Sequence, residues 1–117
     1  MEQSLNEILS AKNELVRKGQ IVEATEKYFA SNVKTLDFDG TITNNKEEML
    51  VKMRGFANSI AKVNGIIMHN AALIGDISFA EFTFDFDMKD GSKVFWHEIL
   101  RTVWQNGQVI EEQYFKA

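Results

Sequence analysis

Three dipeptides cut the second half of the chain into four runs, and this spacing constrains the fold more than any other feature. Gly75-Asp76, Asp90-Gly91 and Asn106-Gly107 separate IIMHNAALI, ISFAEFTFDFDM, KVFWHEILRTVWQ and QVIEEQYF. Each run is rich in β-branched and aromatic residues, which suit a pleated, half-buried surface. Each dipeptide holds residues that tolerate positive φ, as two-residue hairpin turns demand. Residues 66–115 therefore read as a four-strand antiparallel meander.

The first half follows a helical period. Leu5, Ile8, Leu9, Lys12, Leu15 and Val16 fall on one stripe, closed by Arg17, Lys18 and Gly19. A shorter helix fits IVEATEKYFA, with Ile21, Ala24, Thr25, Tyr28 and Phe29 on its inner side. VKTLDFDGTI reads as a short strand. NNKEEMLVKMRGFANSIAKV is a third helix, capped by Asn45 with Glu48 three residues on, and its buried face is Met49, Met53, Phe56, Ala57 and Ile60. Helices followed by a meander predict an α+β fold rather than alternating βαβ units. With 117 residues there is room for one core, so residues 1–117 read as a single domain.

Composition narrows the function by exclusion. The formal charge is −4 and no Lys/Arg cluster stands out, so no nucleic-acid partner is expected. Without cysteine there is no disulfide, thiolate nucleophile or zinc-thiolate site. No metal-ligand pattern or cofactor motif stands out, so neither metal nor cofactor is expected. No apolar run approaches membrane-spanning length, and the first residues lack the layout of a signal peptide. The expectation is a cytoplasmic protein without a membrane partner. Nine Phe and two Trp suit a core with a lined cavity or a buried partner surface.

If each dipeptide is a two-residue turn, the register follows. Phe86 lies opposite Phe95, Phe84 opposite His97, Phe82 opposite Ile99 and Ala80 opposite Arg101. Ile99 then pairs with Tyr114 and Arg101 with Glu112, while His69 faces Phe82 and Ile67 faces Phe84. Alternation puts these residues on one face, the more apolar and so the inner one. Both histidines, His69 and His97, land inside beside Arg101, Glu112 and Tyr114. The opposite face carries Glu81, Thr83, Trp96, Glu98, Leu100 and Trp104, a mixture suited to solvent or a dimer contact. A one-residue bulge in any hairpin would exchange the faces. Plain structural roles are open to each inner polar group: a satisfied core histidine, an Arg101–Glu112 cross-strand pair, a packed Tyr114.

Two resemblances bear on function. TLDFDGTITN, residues 35–44, resembles the first motif of the haloacid dehalogenase superfamily of phosphatases, in which Asp37 would be a nucleophile and Asp39 an acid/base. Asp76 and Glu81 in IGDISFAE offer a passable acidic motif. That chemistry needs a doubly wound parallel sheet, whereas here two helices precede the motif and a meander follows it, so the phosphatase reading is set aside.

The second resemblance spans nearly the whole chain. ATEKYFASNV and the run from GDISFAEF to EEQYF, with its strand–DG–strand–"W..G.I.E..Y" ending, resemble the SnoaL-like branch of the nuclear transport factor 2-like superfamily. The resemblance implies a cone: a curled antiparallel sheet of four to six strands wrapped by three N-terminal helices. It also implies a pocket, and a homodimer through the outer sheet face, here Trp96, Glu98, Leu100 and Trp104. The superfold hosts isomerases, cyclases, epoxide hydrolases, binders and dimerisation modules. In its steroid isomerases a general-base Asp lies on the first strand, and the register of YFASNVKTLDFDG puts Asp37 there. The position of their oxyanion-stabilising Tyr is Lys12, and that of their late acid is Ile99 or, slipped by one, Glu98.

The reading is thus a small, partly hydrophobic ligand in a mostly apolar pocket lined by Tyr28, His69, Phe82, Phe84, Ile99, Arg101, Glu112 and Tyr114. Its chemistry would be cofactor-independent proton transfer or water activation, with Asp37 as base, His97 or His69 as acid or orienter, and Tyr114 positioning the ligand. The alternative is a non-enzymatic binding or dimerisation module.

Overall fold

A computed structural model describes residues 3–117; Met1 and Glu2, where the reading of the first residues begins, lie outside the described residues. The order is α1 (Leu5–Arg17), α2 (Ile21–Tyr28), β1 (Phe29–Leu36), β2 (Ile42–Thr43), α3 (Lys46–Ser59), β3 (Ile60–Ile74), β4 (Ile77–Met88), β5 (Lys93–Gln105) and β6 (Gln108–Lys116). The strands form one curled sheet in the order β2-β1-β6-β5-β4-β3. Every described pairing is antiparallel except β1 with β6, which is parallel, so the sheet is mixed. The helices pack over one face, giving the α+β cone. No described helix is long and apolar enough to cross a membrane.

Local chemistry sets the helix ends. Ser4 and Glu7 form a capping box: the Glu7 N–H donates to Ser4 Oγ and the Ser4 N–H to Glu7 Oε1, both at 3.2 Å. At α3 the Glu48 N–H donates to Asn45 Oδ1 at 2.8 Å. Two boundaries differ from the sequence pattern. SIAKV, expected to end α3, is mostly strand, because Ile60 pairs with Met88 and extends β3 along the whole of β4. β1 begins earlier and stops at Leu36, so Asp37 and Asp39 sit in a turn closed by Gly40, whose φ is +90. There the Gly40 N–H donates to the Asp37 carbonyl at 3.0 Å.

The hairpins decide which side chains enter the cone. Gly75-Asp76 and Asn106-Gly107 make the expected two-residue turns, with Ile74 opposite Ile77 and Gln105 opposite Gln108. Asn106 (φ 52) and Gly107 (φ 75) are both left-handed. A Cβ at Gly107 would also meet Ile8 Cδ1 at 3.4 Å. Gly107→Ala should therefore cost about 1 kcal/mol in a urea melt, from the strained φ alone.

Asp90-Gly91 behaves differently. The Met88 N–H donates to the Ser92 carbonyl and the Gly91 N–H to the Met88 carbonyl, so residues 89–91 form a three-residue loop with Gly91 at φ +87. The extra residue turns β5 over. Phe86 lies opposite Val94, Phe84 opposite Trp96 and Phe82 opposite Glu98. Trp96, Glu98, Leu100 and Trp104 therefore point into the cone rather than forming the outer face expected of them. Ile99, Arg101 and His97 point out.

Two further irregularities shift the neighbouring strands. One in β3 between Met68 and Asn70 puts Met68, not His69, opposite Phe82, and Ile66, not Ile67, opposite Phe84. One in β6, opposite Val103/Trp104, leaves Ile110 as the extra residue, so Leu100 pairs with Tyr114 and Thr102 with Glu112. Glu112 and Tyr114 still point inward, but beside different partners. The core beneath holds Phe82, Phe84, Phe86 and Leu100 in one cluster and Tyr28, Val33, Met49 and Trp104 in another.

Candidate functional site

Between the helices and the inner faces of β4, β5 and β6 lies a cavity of about 320 Å³. Its walls are aromatic. Trp96 stacks on Phe56 (centroids 5.5 Å apart, planes at 17°) and meets Phe38 edge to face at 5.8 Å. Phe84 and Phe86 continue the wall, and Phe38, 40% exposed, stands at the rim. Against this apolar lining the cavity holds three sets of ionisable groups.

Deepest is a network on Glu112. Lys12 Nζ donates to Glu112 Oε2 at 2.8 Å, Thr102 Oγ1 donates to the same oxygen at 2.7 Å, and the Tyr114 hydroxyl donates to Oε1 at 2.7 Å. Lys12 and Glu112 are each 2% exposed, so this charge pair is removed from water and completed by neutral donors. Burial first, then the Glu112 charge, pushes the Tyr114 hydroxyl well above its ordinary pKa. Tyr114 thus keeps its proton and spends it on Glu112.

At the rim, Lys52 of α3 grips both oxygens of Asp37, at 2.6 and 2.5 Å. Its ammonium also lies 5.7 Å from the Tyr114 ring centroid.

Glu98 of β5 is the third. It is 7% exposed and lines the cavity, yet its carboxyl makes no hydrogen bond or ion pair with the described side chains. Burial, then the charges of Asp37 and Glu112, raise it from 4.5 to about 7, against the lowering effect of Lys52 and Lys116.

The other residues read from sequence divide plainly. Asp37, Phe84, Glu112 and Tyr114 line the cavity. Phe82 is fully buried beneath it, stacked on Phe84 at 5.4 Å. Tyr28 packs into the core, edge to face with Trp104 at 6.5 Å, and Phe29 reaches the cavity instead. His97, Ile99, Arg101 and His69 lie outside, on the far face of the sheet. There His97 Nε2 is 2.5 Å from Glu81 Oε2, His69 Nε2 is 2.7 Å from Thr83 Oγ1, and Arg101 pairs with Glu111 at 3.4 Å rather than with Glu112. Neither histidine lines the cavity.

Three residues of the site were not expected in it: Glu98, read as part of the outer dimer face, Lys12 and Lys52. Lys12 carried a signal, being a lysine on the apolar stripe of α1. Glu98 carried one too, as the slipped position of the late acid. Lys52 carried none.

The helices and the curled sheet of this small α+β cone border an apolar cavity lined by four acids, Asp37, Asp39, Glu98 and Glu112. The fold is that of nuclear transport factor 2-like proteins, SnoaL-like ones among them. Among solved structures the chain is similar to a candidate SnoaL-like polyketide cyclase of Mesorhizobium loti, whose name also carries the words carbohydrate phosphatase. Identity is 25%, the TM-score is 0.85, and 97% of this chain and 99% of that one are covered. It is also similar to a ketosteroid isomerase-like fold protein of Catenulispora acidiphila in complex with trimethylamine (16%, TM-score 0.77, 95% and 85% covered). A third is an NTF2-like protein of unknown function from Burkholderia pseudomallei (12%, TM-score 0.78, 98% and 92% covered). No protein-family model and no curated protein matches the sequence.

Proposed function

We propose that the cavity binds a small, partly hydrophobic molecule and carries out cofactor-independent proton transfer on it, with Glu98 giving and taking the proton. The observation that carries this is the Glu98 carboxyl, buried, facing the cavity and without a protein partner. A carboxyl raised to about 7 is populated in both forms near neutral pH, where a shuttle works best. The step is a carbon-acid one. The C–H bond beside a carbonyl breaks, its electron pair moves into the enolate, and the proton goes to the Glu98 carboxylate. Glu98 then returns it to carbon. Lys52, its charge shared with Asp37, lines the same cavity and offers its remaining N–H to the enolate oxygen as a hydrogen-bond donor rather than as a free charge.

Phosphoryl transfer finds no support in the geometry around Asp37. Its oxygens are both taken by Lys52, and its strand belongs to no doubly wound sheet.

Proton transfer can be read without knowing the natural substrate. Small cyclic ketones in D2O, followed by proton NMR, should exchange their α-hydrogens at least tenfold faster with the protein than in buffer. Glu98→Gln should abolish the acceleration while Trp96 fluorescence still reports saturable binding. Exchange at the buffer rate despite saturable binding by the wild-type protein would sink the enzymatic reading and leave a binding module.

A further inference from the structure

We infer that the ligand of this cavity carries a basic nitrogen, bound as an ammonium between the Glu98 carboxylate and the rings of Trp96, Phe38 and Phe56. This rests on the cavity being the binding site, as proposed above.

Charge is the first reason. The acids on the cavity are Asp37, Asp39, Glu98 and Glu112, and the bases are Lys12 and Lys52. Lys12 is committed to Glu112 and Lys52 to Asp37, which leaves Glu98 as the buried acid with no counter-ion. The charges that act on it are Asp37 from the turn after β1, Lys52 from α3, and Glu112 and Lys116 from β6, while β4, paired beside it, presents Phe82 and Phe84. The individual effects of Asp37 and Glu112 on Glu98 exceed those of Lys52 and Lys116, so the cavity around it favours a cation. An anionic ligand would meet that same surplus.

Shape is the second. An ammonium with apolar substituents is held well by ring faces, which carry negative charge, and by a partly desolvated carboxylate. Trp96 and Glu98 lie two residues apart on the inner face of β5, and Trp96 is flanked by Phe56 and Phe38. The chain already places a cation on this aromatic group: Lys116 Nζ sits 4.7 Å from the Phe38 centroid.

The two reasons combine in one chemical step. An amine entering as the free base takes the Glu98 proton, so N–H forms as O–H breaks and an ion pair results. An amine entering as ammonium displaces that proton to solvent. In both cases Glu98 ends as a carboxylate, the form that abstracts a proton from carbon.

The test uses the full chain and three matched probes: benzyltrimethylammonium, its uncharged carbon isostere neopentylbenzene, and phenylacetate, titrated by Trp fluorescence. At pH 8 the cation should bind at least tenfold tighter than the isostere, and phenylacetate should bind weakest. In Glu98→Gln the preference for the cation should shrink to about twofold. For the wild-type protein the cation should weaken at least fivefold on going to pH 5.5, with the isostere unchanged. If cation and isostere bind equally, the nitrogen proposal is overturned and the cavity stands as a neutral-ligand site. If none of the three binds, the reading of the cavity as a binding site fails with it.

Discussion

Replacing Lys12 by methionine should destabilise the protein by about 3–5 kcal/mol, the largest loss expected from any single change at the site. The reason is what it leaves behind. Glu112 would keep two neutral donors, Thr102 and Tyr114, but would stand as a buried charge without a cation. Methionine matches the length of the lysine stem, so lost packing is a minor part of the effect. In a domain of this size the loss should appear as a fall in melting temperature of more than about 12 °C. The second change in the cycle is Glu112→Gln, which removes the charge and leaves an amide oxygen for Thr102 or Tyr114. Lys12→Met/Glu112→Gln should recover most of the stability lost in the single variant, a coupling well outside additive behaviour. Urea melts of the four proteins measure it. A single-variant loss below about 1 kcal/mol would mean that water screens Glu112 and that the network is not closed.

How far the sequence showed this arrangement depends on the turns. The meander and its strand limits were legible because glycine and asparagine at positive φ leave a clear mark. Loop length was not. Asp90-Gly91 serves a two-residue turn, and equally a three-residue loop in which only Gly91 needs the left-handed region. The hydrophobic pattern could not arbitrate, because β5 is amphipathic in both registers. Phe95, Ile99 and Val103 alternate with Trp96, Leu100 and Trp104, and either set could fill a core. The single extra residue therefore moved His97, Ile99 and Arg101 outside and brought in Glu98. His69 was lost in the same way, through the irregularity in β3.

Glu112 and Tyr114 were placed inward for a reason that did not hold. The slip at residues 89–91 and the extra residue at Ile110 offset each other across β5 and β6, so the two side chains kept their face and changed their partners. Asp37 shows a different limit. A strand–turn boundary with two aspartates and a glycine spells a phosphatase motif locally, and only the sheet order shows what stands around it. In the cone that turn serves as the rim of a cavity. The alignment with the isomerases put Asp37 on the first strand, whereas it lies in the turn that follows, on the cavity rim, and no sequence pattern pointed to Lys52, fifteen residues on, as the group that holds it.

Glu98→Gln should stabilise the folded protein at pH 8 and leave it unchanged at pH 4. The sign follows from proton binding. In the unfolded chain the Glu98 carboxyl loses its proton around 4.5, whereas in the folded protein it holds it up to about 7. Between those values the folded state binds more protons than the unfolded one, so wild-type stability falls as pH rises through this window. Below it Glu98 is neutral in both states and costs nothing; above it the full cost of the buried charge is present and this group adds no further slope. The difference between the two values caps that cost at about 3 kcal/mol, and hydration of the cavity brings the expected gain to about 1–3 kcal/mol. Glutamine has nearly the same shape and does not titrate, so the variant should lack the slope as well as the cost. Urea midpoints of both proteins at half-unit steps from pH 4 to 8 would show two curves that coincide at the acid end and separate toward pH 7. A gain of the same size at every pH would mean that the substitution acts through packing. Parallel curves with no gain would mean that Glu98 titrates like an exposed acid, and the proton-shuttle reading would lose the group on which it rests.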